Sequence, residues 1–473
     1  MLFNSLTFVV FFSFVIGLWY LIDGWRARKA MLLVASYLFY AAWNPPFILI
    51  LWLSTIVDWF VARWLFAARR PSRRRLILLI SLVVNLGLLG YFKYGGFLVE
   101  NFVVAARALG LDFHPATPSI ILPIGISFYT FETISYTIDV YLGRCEPFGS
   151  FLDYGLFLTF FPHLVAGPIL RPHEIVPQFE RPHRATSQAL GFGLFLMCVG
   201  LFEKVVLADT LLSPSAEMVF GAHQPLGALD AWAGILGFSG QIFCDFAGYS
   251  TCAIGASLCF GFALPDNFRS PYAAVGFSDF WRRWHISLSR WLRDYLYIPL
   301  GGNRKSEVRT HVNLMLTMLI GGLWHGASWN FVIWGGLHGF YLFVERLLRR
   351  FFPRVAWLAS GAGQFALSLF TFFLVCITWI FFRSKDLHGS LKLLGAAFGV
   401  GGGGPALLPT QQLLAVFVTM AGLLASHFAL RKRGFEDWAA RVPEQLLTGI
   451  WVVLCVGIIL AQGTGDAFIY FQF

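Results

Sequence analysis

At 473 residues the chain is long enough for about three soluble domains, but its composition excludes them. Charged residues are only 13% against 57% hydrophobic and 18% aromatic, whereas a soluble domain carries roughly 25% charged. The 51 Phe and 17 Trp would leave large apolar patches on any water-facing surface. The net charge of +10 lies in short basic clusters between apolar spans, the pattern of topogenic charge, and this argues against nucleic acid as a partner.

In chain order, the first 22 residues lack a basic leader and a small-residue cleavage site after Leu18-Trp19-Tyr20, so they read as a retained membrane helix. Apolar spans follow at roughly 30–43, 47–66, 76–92, 119–142, 151–168, 188–208, 230–263, 312–345, 364–382, 406–429 and 446–462. A crossing takes about 20 residues. The runs 230–263 and 312–345 exceed that, so each is expected to contain a break or a pair of helices, and 151–168 is short enough to be re-entrant. The expected fold class is an all-α polytopic membrane protein with about eleven crossings plus re-entrant and interfacial helices. It reads as one integral-membrane domain over 1–473: N-terminal helices 1–110, a motif-bearing core 119–345 and C-terminal helices 360–473. Arg26, Arg28 and Lys29 follow the first span, Asn44-Pro45-Pro46 the second, and Arg69, Arg70, Arg73, Arg74 and Arg75 the third. The positive-inside rule then puts the N-terminus outside and the arginine loops, with the basic block Arg269 to Arg309, in the cytoplasm.

There is no internal repeat, and Gly401 to Gly404 with Pro405 reads as a flexible turn. The seven Cys have no Cys-x-x-Cys spacing, and Cys198, Cys244, Cys376 and Cys455 fall inside apolar runs, as small buried hydrophobes do. Walker, dinucleotide-binding, zinc-protease and serine-hydrolase signatures are absent from the sequence.

Polar residues inside apolar spans are expensive and therefore mark function. Gln241 and Asp245 are four apart on one helical face; they serve either as a packing hydrogen bond or as groups lining a site. The segment Phe280 to Asn303, rich in Trp, Tyr and Arg, reads as an amphipathic cytoplasm-facing helix ending at Pro299 and the Gly pair. Within it His285 follows Trp284 at the apolar end and needs a partner in the bundle. Gly321, Gly322 and Gly326 surround Trp324 and His325, a break that would make room for a substrate beside the ring. Burial there disfavours charge on the imidazole, and neutral imidazole is what a general base requires. His338, with Glu345, follows on the next helix as a weaker candidate. Compact metal-ligand spacing among His285, His325 and His338 is lacking, so no metal is expected.

These residues are joined by motifs that carry a resemblance. Trp281-Arg-Arg-Trp-His285-Ile-Ser-Leu-Ser, Tyr295-Leu-Tyr-Ile-Pro-Leu-Gly-Gly-Asn303 and Gly322-Leu-Trp-His325-Gly resemble the core of membrane-bound O-acyltransferases, in the branch of bacterial alginate and exopolysaccharide O-acetyltransferases. Further matches are Ala35 to Tyr40, Leu122 to Phe131, Phe160 to Ile169 and the terminal Phe468 to Phe473. In the third of these, many family members have Gln where this chain has His163.

The resemblance implies helices around a central funnel, His325 as the catalytic histidine and His285 as the second family histidine. It implies an acyl thioester donor, acetyl-CoA, used as substrate with no bound cofactor. It also implies a multi-pass location in the bacterial inner membrane, and a periplasmic acetyltransferase partner that passes acetyl to an exported polysaccharide such as alginate. On this reading Trp324, Asn330 and His338 line the site with Gln241 and Asp245, and His285, Asn330 or an amide near Gly326 steadies the oxyanion. Arg282, Arg283, Arg290 and Arg293 attract the donor phosphates, or serve topology alone. The same fold also supports D-alanyl transfer to teichoic acid and peptidoglycan O-acetylation. From another class, a non-enzymatic acetyl or sugar transporter remains the rival.

Overall fold

The structure is a computed structural model describing residues 1–115, 120–165, 167–352, 360–400 and 403–461. The terminal Phe468 to Phe473 motif, and Gly401 and Gly402 of the glycine run, lie outside the described residues. Every regular element among the described residues is helical, and seven helices are long and apolar enough to cross a membrane. Two shorter apolar helices, α1 (Leu6–Leu21) and the last helix, Glu444–Leu460, add to them. The chain groups into two compact units. One is Met1–Leu194 with Ala253–Pro265, the other Phe195–Cys252 with Asp266–Phe473.

In the first unit, α1 is capped by Ser5, whose Oγ accepts from Phe8 N at 3.1 Å. It is followed by α2 (Trp25–Ala41), α3 (Ile48–Ala67), α4 (Pro71–Ala108), α5 (Ile126–Tyr141) and α6 (Phe151–Thr159). The 38 residues of α4 make it about 57 Å long, well beyond a hydrocarbon core of about 30 Å. It therefore continues far past the expected span 76–92. The nine residues of α6 reach only about 14 Å, too short to cross. A short α7 (Pro172–Glu180) precedes α8 (Ser187–Leu201), which leads into the second unit.

Two of the loop charges read as topogenic turn inward. Arg28 and Lys29 are buried in the first turns of α2: Arg28 Nε donates to Ile22 O at 2.9 Å, and Lys29 pairs with Asp153 and donates to Phe179 O. They face the bundle because carboxylate and carbonyl partners are available there, so only Arg26 of that trio is exposed.

Two sequence motifs meet in this unit. Glu132 on α5 accepts from Leu170 N at 2.8 Å and stands 3.3 Å from His163 Nδ1. Residues 160–165 and 167–170 are irregular and buried, and Ser36 Oγ satisfies Phe161 N at 3.0 Å. Gly125 has φ +76°, and a Cβ there would lie 2.8 Å from Leu164 O. Gly125, in the run Leu122 to Phe131, thus seats the chain at Leu164 and Val165, while Ala166 of the Phe160 to Ile169 motif lies outside the described residues. A second buried network, Asp58–Asn85–Ser54 with Ser81–Thr137, ties α3, α4 and α5 together.

In the second unit, α8 runs through a wide-turned π segment, Phe202–Leu212, into α9 (Ser213–Phe220), forming one 34-residue span. Next is α10 (Ala228–Cys259), a single helix of 32 residues and mostly buried. This corrects the break expected in 230–263. Its glycines mark close helix crossing instead: a Cβ on Gly248 would lie 2.5 Å from Gly200 O, and one on Gly200 would lie 2.3 Å from Gly248 O.

Short α11 (Phe277–Phe280) and α12 (Ile286–Leu292) follow. The single amphipathic helix expected from Phe280 is therefore two helices, with a turn ending at His285. Trp284 and Trp291 are buried rather than set at the headgroups, because aromatic neighbours, such as Phe280 and Tyr295, enclose them.

The run 312–345 does divide, into α13 (Glu307–His325) and α14 (Trp329–Phe351). The remaining helices are α15 (Gly361–Arg383), α16 (Leu387–Ala397), α17 (Thr410–Leu430), α18 (Phe435–Ala439) and α19 (Glu444–Leu460).

Candidate active site

His325 is the last residue of α13, and the chain leaves the helix at Gly326 in an extended conformation. Gly321 and Gly322 do not break α13. A Cβ on Gly322 would lie 2.3 Å from Phe331 O, and one on Gly335 would lie 2.2 Å from Met318 O, so these glycines let α13 and α14 pack backbone to backbone. Gly326 likewise leaves space for the Phe331 ring, 2.0 Å from where its Cβ would be. The space beside Gly322 and Gly326, expected to admit a substrate, is filled by protein instead, and the His325 residue is 3% exposed. Its ring meets Trp324 and Trp334 at 5.0 Å each and Phe382 at 5.3 Å.

His285 is brought to it from α12. The two ring centroids are 6.4 Å apart, with Trp324 5.9 Å from His285. His285 has φ +42°, a left-handed backbone uncommon outside glycine, and Asn267 holds it there. Asn267 O accepts from Ile286 N at 2.9 Å, while Asn267 Oδ1 accepts from Ser287 Oγ at 2.9 Å and stands 3.1 Å from His285 Nδ1. Asn267 Nδ2 in turn donates to Ser250 Oγ on α10 at 3.1 Å. A carbonyl oxygen facing Nδ1 makes that nitrogen the donor, which puts the His285 lone pair on Nε2.

A face of α10 belongs to the same neighbourhood. Phe246 meets His285 edge-on at 4.7 Å, and Phe238, two turns earlier, approaches Phe382 at 6.5 Å. By helical spacing Gln241 and Asp245 flank that face, and both are buried. Asp245, however, is engaged by Lys204 of the π segment at 2.5 Å, and Lys204 also reaches Asp209 at 2.9 Å. Lys204 and Asp209 are five residues apart, the spacing that a π turn brings together. Asp245 is thus half of a buried ion cluster. Gln241 Oε1 is buried with no hydrogen-bond partner among the described residues.

The other candidates divide. His338 is fully buried, but Trp334 stands between it and His325, 4.7 Å from His338. Thr378 Oγ1 donates to Val375 O and so accepts from His338 Nε2 at 3.1 Å, which makes His338 a packing group. Asn330 Nδ2 donates to Ser384 O at 2.9 Å and Ser390 Oγ at 3.2 Å; its amide joins α14 to the start of α16 and is spent away from His325. Arg283 pairs with Asp279 and Arg293 with Asp294, which compensates both charges locally. Arg282 and Arg290 are exposed. Sequence reasoning missed Lys204, Asp209 and Asn267. A lysine inside the span 188–208 was a usable signal for the first, whereas Asn267, beside Asp266 and Arg269, looked like an ordinary loop residue.

Two known features now meet this geometry. The protein-family model described as MBOAT, membrane-bound O-acyltransferase family, matches residues 149–383, which include both histidines. The Pseudomonas putida protein named "Probable alginate O-acetylase AlgI" is 41% identical over 93% of this chain and 88% of its own length. The chain belongs to the membrane-bound O-acyltransferase family. It is therefore a multi-pass membrane enzyme that transfers acyl groups to oxygen, and the transporter reading falls away. Among other family members, the Pseudomonas aeruginosa protein of the same name is 42% identical over 94% of this chain and 84% of its own length. The Helicobacter pylori protein named "Peptidoglycan O-acetyltransferase" is 39% identical over 85% of this chain and 80% of its own length.

Proposed function

We propose that this enzyme takes acetyl from a cytoplasmic thioester, acetyl-CoA, and delivers it across the bacterial inner membrane for O-acetylation of an exported polysaccharide such as alginate. The observation that carries this reading is the placement of His325 at the end of α13, with the His285 ring 6.4 Å away. The names of the Pseudomonas relatives support the acceptor class.

In this mechanism His325 removes the proton from the acceptor hydroxyl as its oxygen attacks the thioester carbonyl, and returns that proton to the departing thiolate. Neutral His285, with its proton on the Asn267 side, offers a lone pair rather than a donor. It therefore accepts from the donor's amide N–H and orients the thioester, and backbone amides around Gly326 meet the oxyanion. The aromatic enclosure keeps bulk water from the thioester. Exposed Arg282 and Arg290 receive the donor phosphates. The acceptor hydroxyl belongs to a periplasmic acetyltransferase, which then passes the acetyl to the polymer.

Protein reconstituted in vesicles with acetyl-CoA on the Arg282 side should release coenzyme A thiol once an acceptor hydroxyl is supplied. Alginate with its periplasmic acetyltransferase should outperform peptidoglycan fragments. Release with a D-alanyl carrier protein and none with acetyl-CoA would overturn the donor assignment. Asn267→Leu should lower turnover about 10²-fold, since a 1 Å misplacement of a reacting group has that effect. Wild-type turnover in that variant would show that the anchoring of His285 does not matter.

A further inference from the structure

Two cysteines distant in sequence meet at the periphery of the second unit. Cys198 on α8 and Cys455 on α19 have their sulfurs 3.5 Å apart, and both are free thiols. The contact sits inside a seam. Phe195 meets Trp451 edge-on at 6.1 Å, Cys198 meets Cys455, and Gly457 lies so close to Phe202 that a Cβ would stand 2.9 Å from its ring. Both series of numbers rise together, so α19 runs parallel to α8 and its π extension, with the register set at three successive points.

The rest of α19 contributes little to holding it. None of its residues is buried, and Val452, Val453, Val456, Ile459 and Leu460 are exposed. Three of the other helical cysteines have different partners: Cys252 Sγ donates to Met197 O, Cys259 Sγ lies against Leu190 O, and Cys376 contacts Ser239.

We propose that Cys198 and Cys455 form a redox modification site that closes to a disulfide and fastens α19 to α8. The sulfurs already stand 3.5 Å apart, and a bond of about 2.05 Å would form across this existing contact. The oxidant class is a small membrane-permeant peroxide. The half-buried Cys455 attacks the peroxide, giving sulfenic acid and one water when the oxidant is hydrogen peroxide. The Cys198 thiol then displaces hydroxide from that sulfur; the S–S bond forms, and the thiol proton leaves with the hydroxide as a second water. The crosslink braces the π segment that presents Lys204 to Asp245, because α19 packs on Phe202 at the start of that segment.

The test uses the full chain in membranes, treated with hydrogen peroxide, then denatured and labelled with a heavy maleimide. Wild-type protein should show two fewer labelled sites than its seven cysteines, reversed by dithiothreitol, with a linked peptide pair containing Cys198 and Cys455 in the mass spectrum. Cys455→Ser should show no reversible loss, and Cys198→Ser a reversible loss of one site at most, the unresolved sulfenic acid on Cys455. Seven labelled sites after oxidation, or the same reversible two-site loss in Cys198→Ser, would overturn the proposal.

Discussion

Replacing His325 with alanine is expected to lower acyl transfer by about 10²–10⁴-fold, the contribution of a positioned general base. The amount of membrane-inserted protein should stay near wild type. The ring is also a packing element among Trp324, Trp334 and Phe382, so alanine would leave a cavity. His325→Gln separates the two effects, because it fills most of the space and keeps a hydrogen-bonding group but cannot carry the proton. Both variants should lose turnover to a similar extent, while their thermal midpoints in detergent differ. If His325→Gln retained turnover within tenfold of wild type, the imidazole would not be the base.

The second large effect lies at Lys204. Its ammonium faces Asp209 and Asp245, and all three side chains are at least nine-tenths buried. Lys204→Met removes the cation that faces two buried carboxylates and should destabilise the protein by about 3–5 kcal/mol, the usual result of removing one partner from a buried pair. The folded fraction recovered in detergent should fall sharply. Lys204→Met combined with Asp209→Asn and Asp245→Asn should recover much of it, since the buried carboxylate charges are removed together with the ammonium. Equal instability of the triple variant would mean that packing, rather than charge, makes the lysine necessary.

Different parts of this architecture were legible in the sequence for different reasons. The division of 312–345 into α13 and α14 was readable because glycines clustered at its middle, although the cause differs at each one. Gly326 sits at the turn, whereas Gly322 and Gly335 allow close helix packing. The same glycine signal misled in 230–263, where α10 stays unbroken and Gly248 serves a helix crossing. Gly inside an apolar run marks close approach, and the neighbour that approaches is not encoded locally. Gln241 and Asp245 were correctly placed on one face, yet the partner of Asp245 comes from a π turn whose five-residue pairing no 3.6-residue periodicity reveals.

The sequence by itself determined that this chain resides in lipid and is helical, because 57% hydrophobic and 13% charged residues permit no other solvent and lipid demands internal backbone pairing. It also singled out His285 and His325, since motif residues in order identify a family without coordinates. Only the tertiary structure decided that Asn267 holds His285, that Asn330 is committed to the loop before α16, and that Lys204 satisfies Asp245. Those outcomes depend on hydrogen bonds between segments far apart in the chain. Such partners are chosen by how helices cross, whereas local patterning reports only which face of each helix is buried.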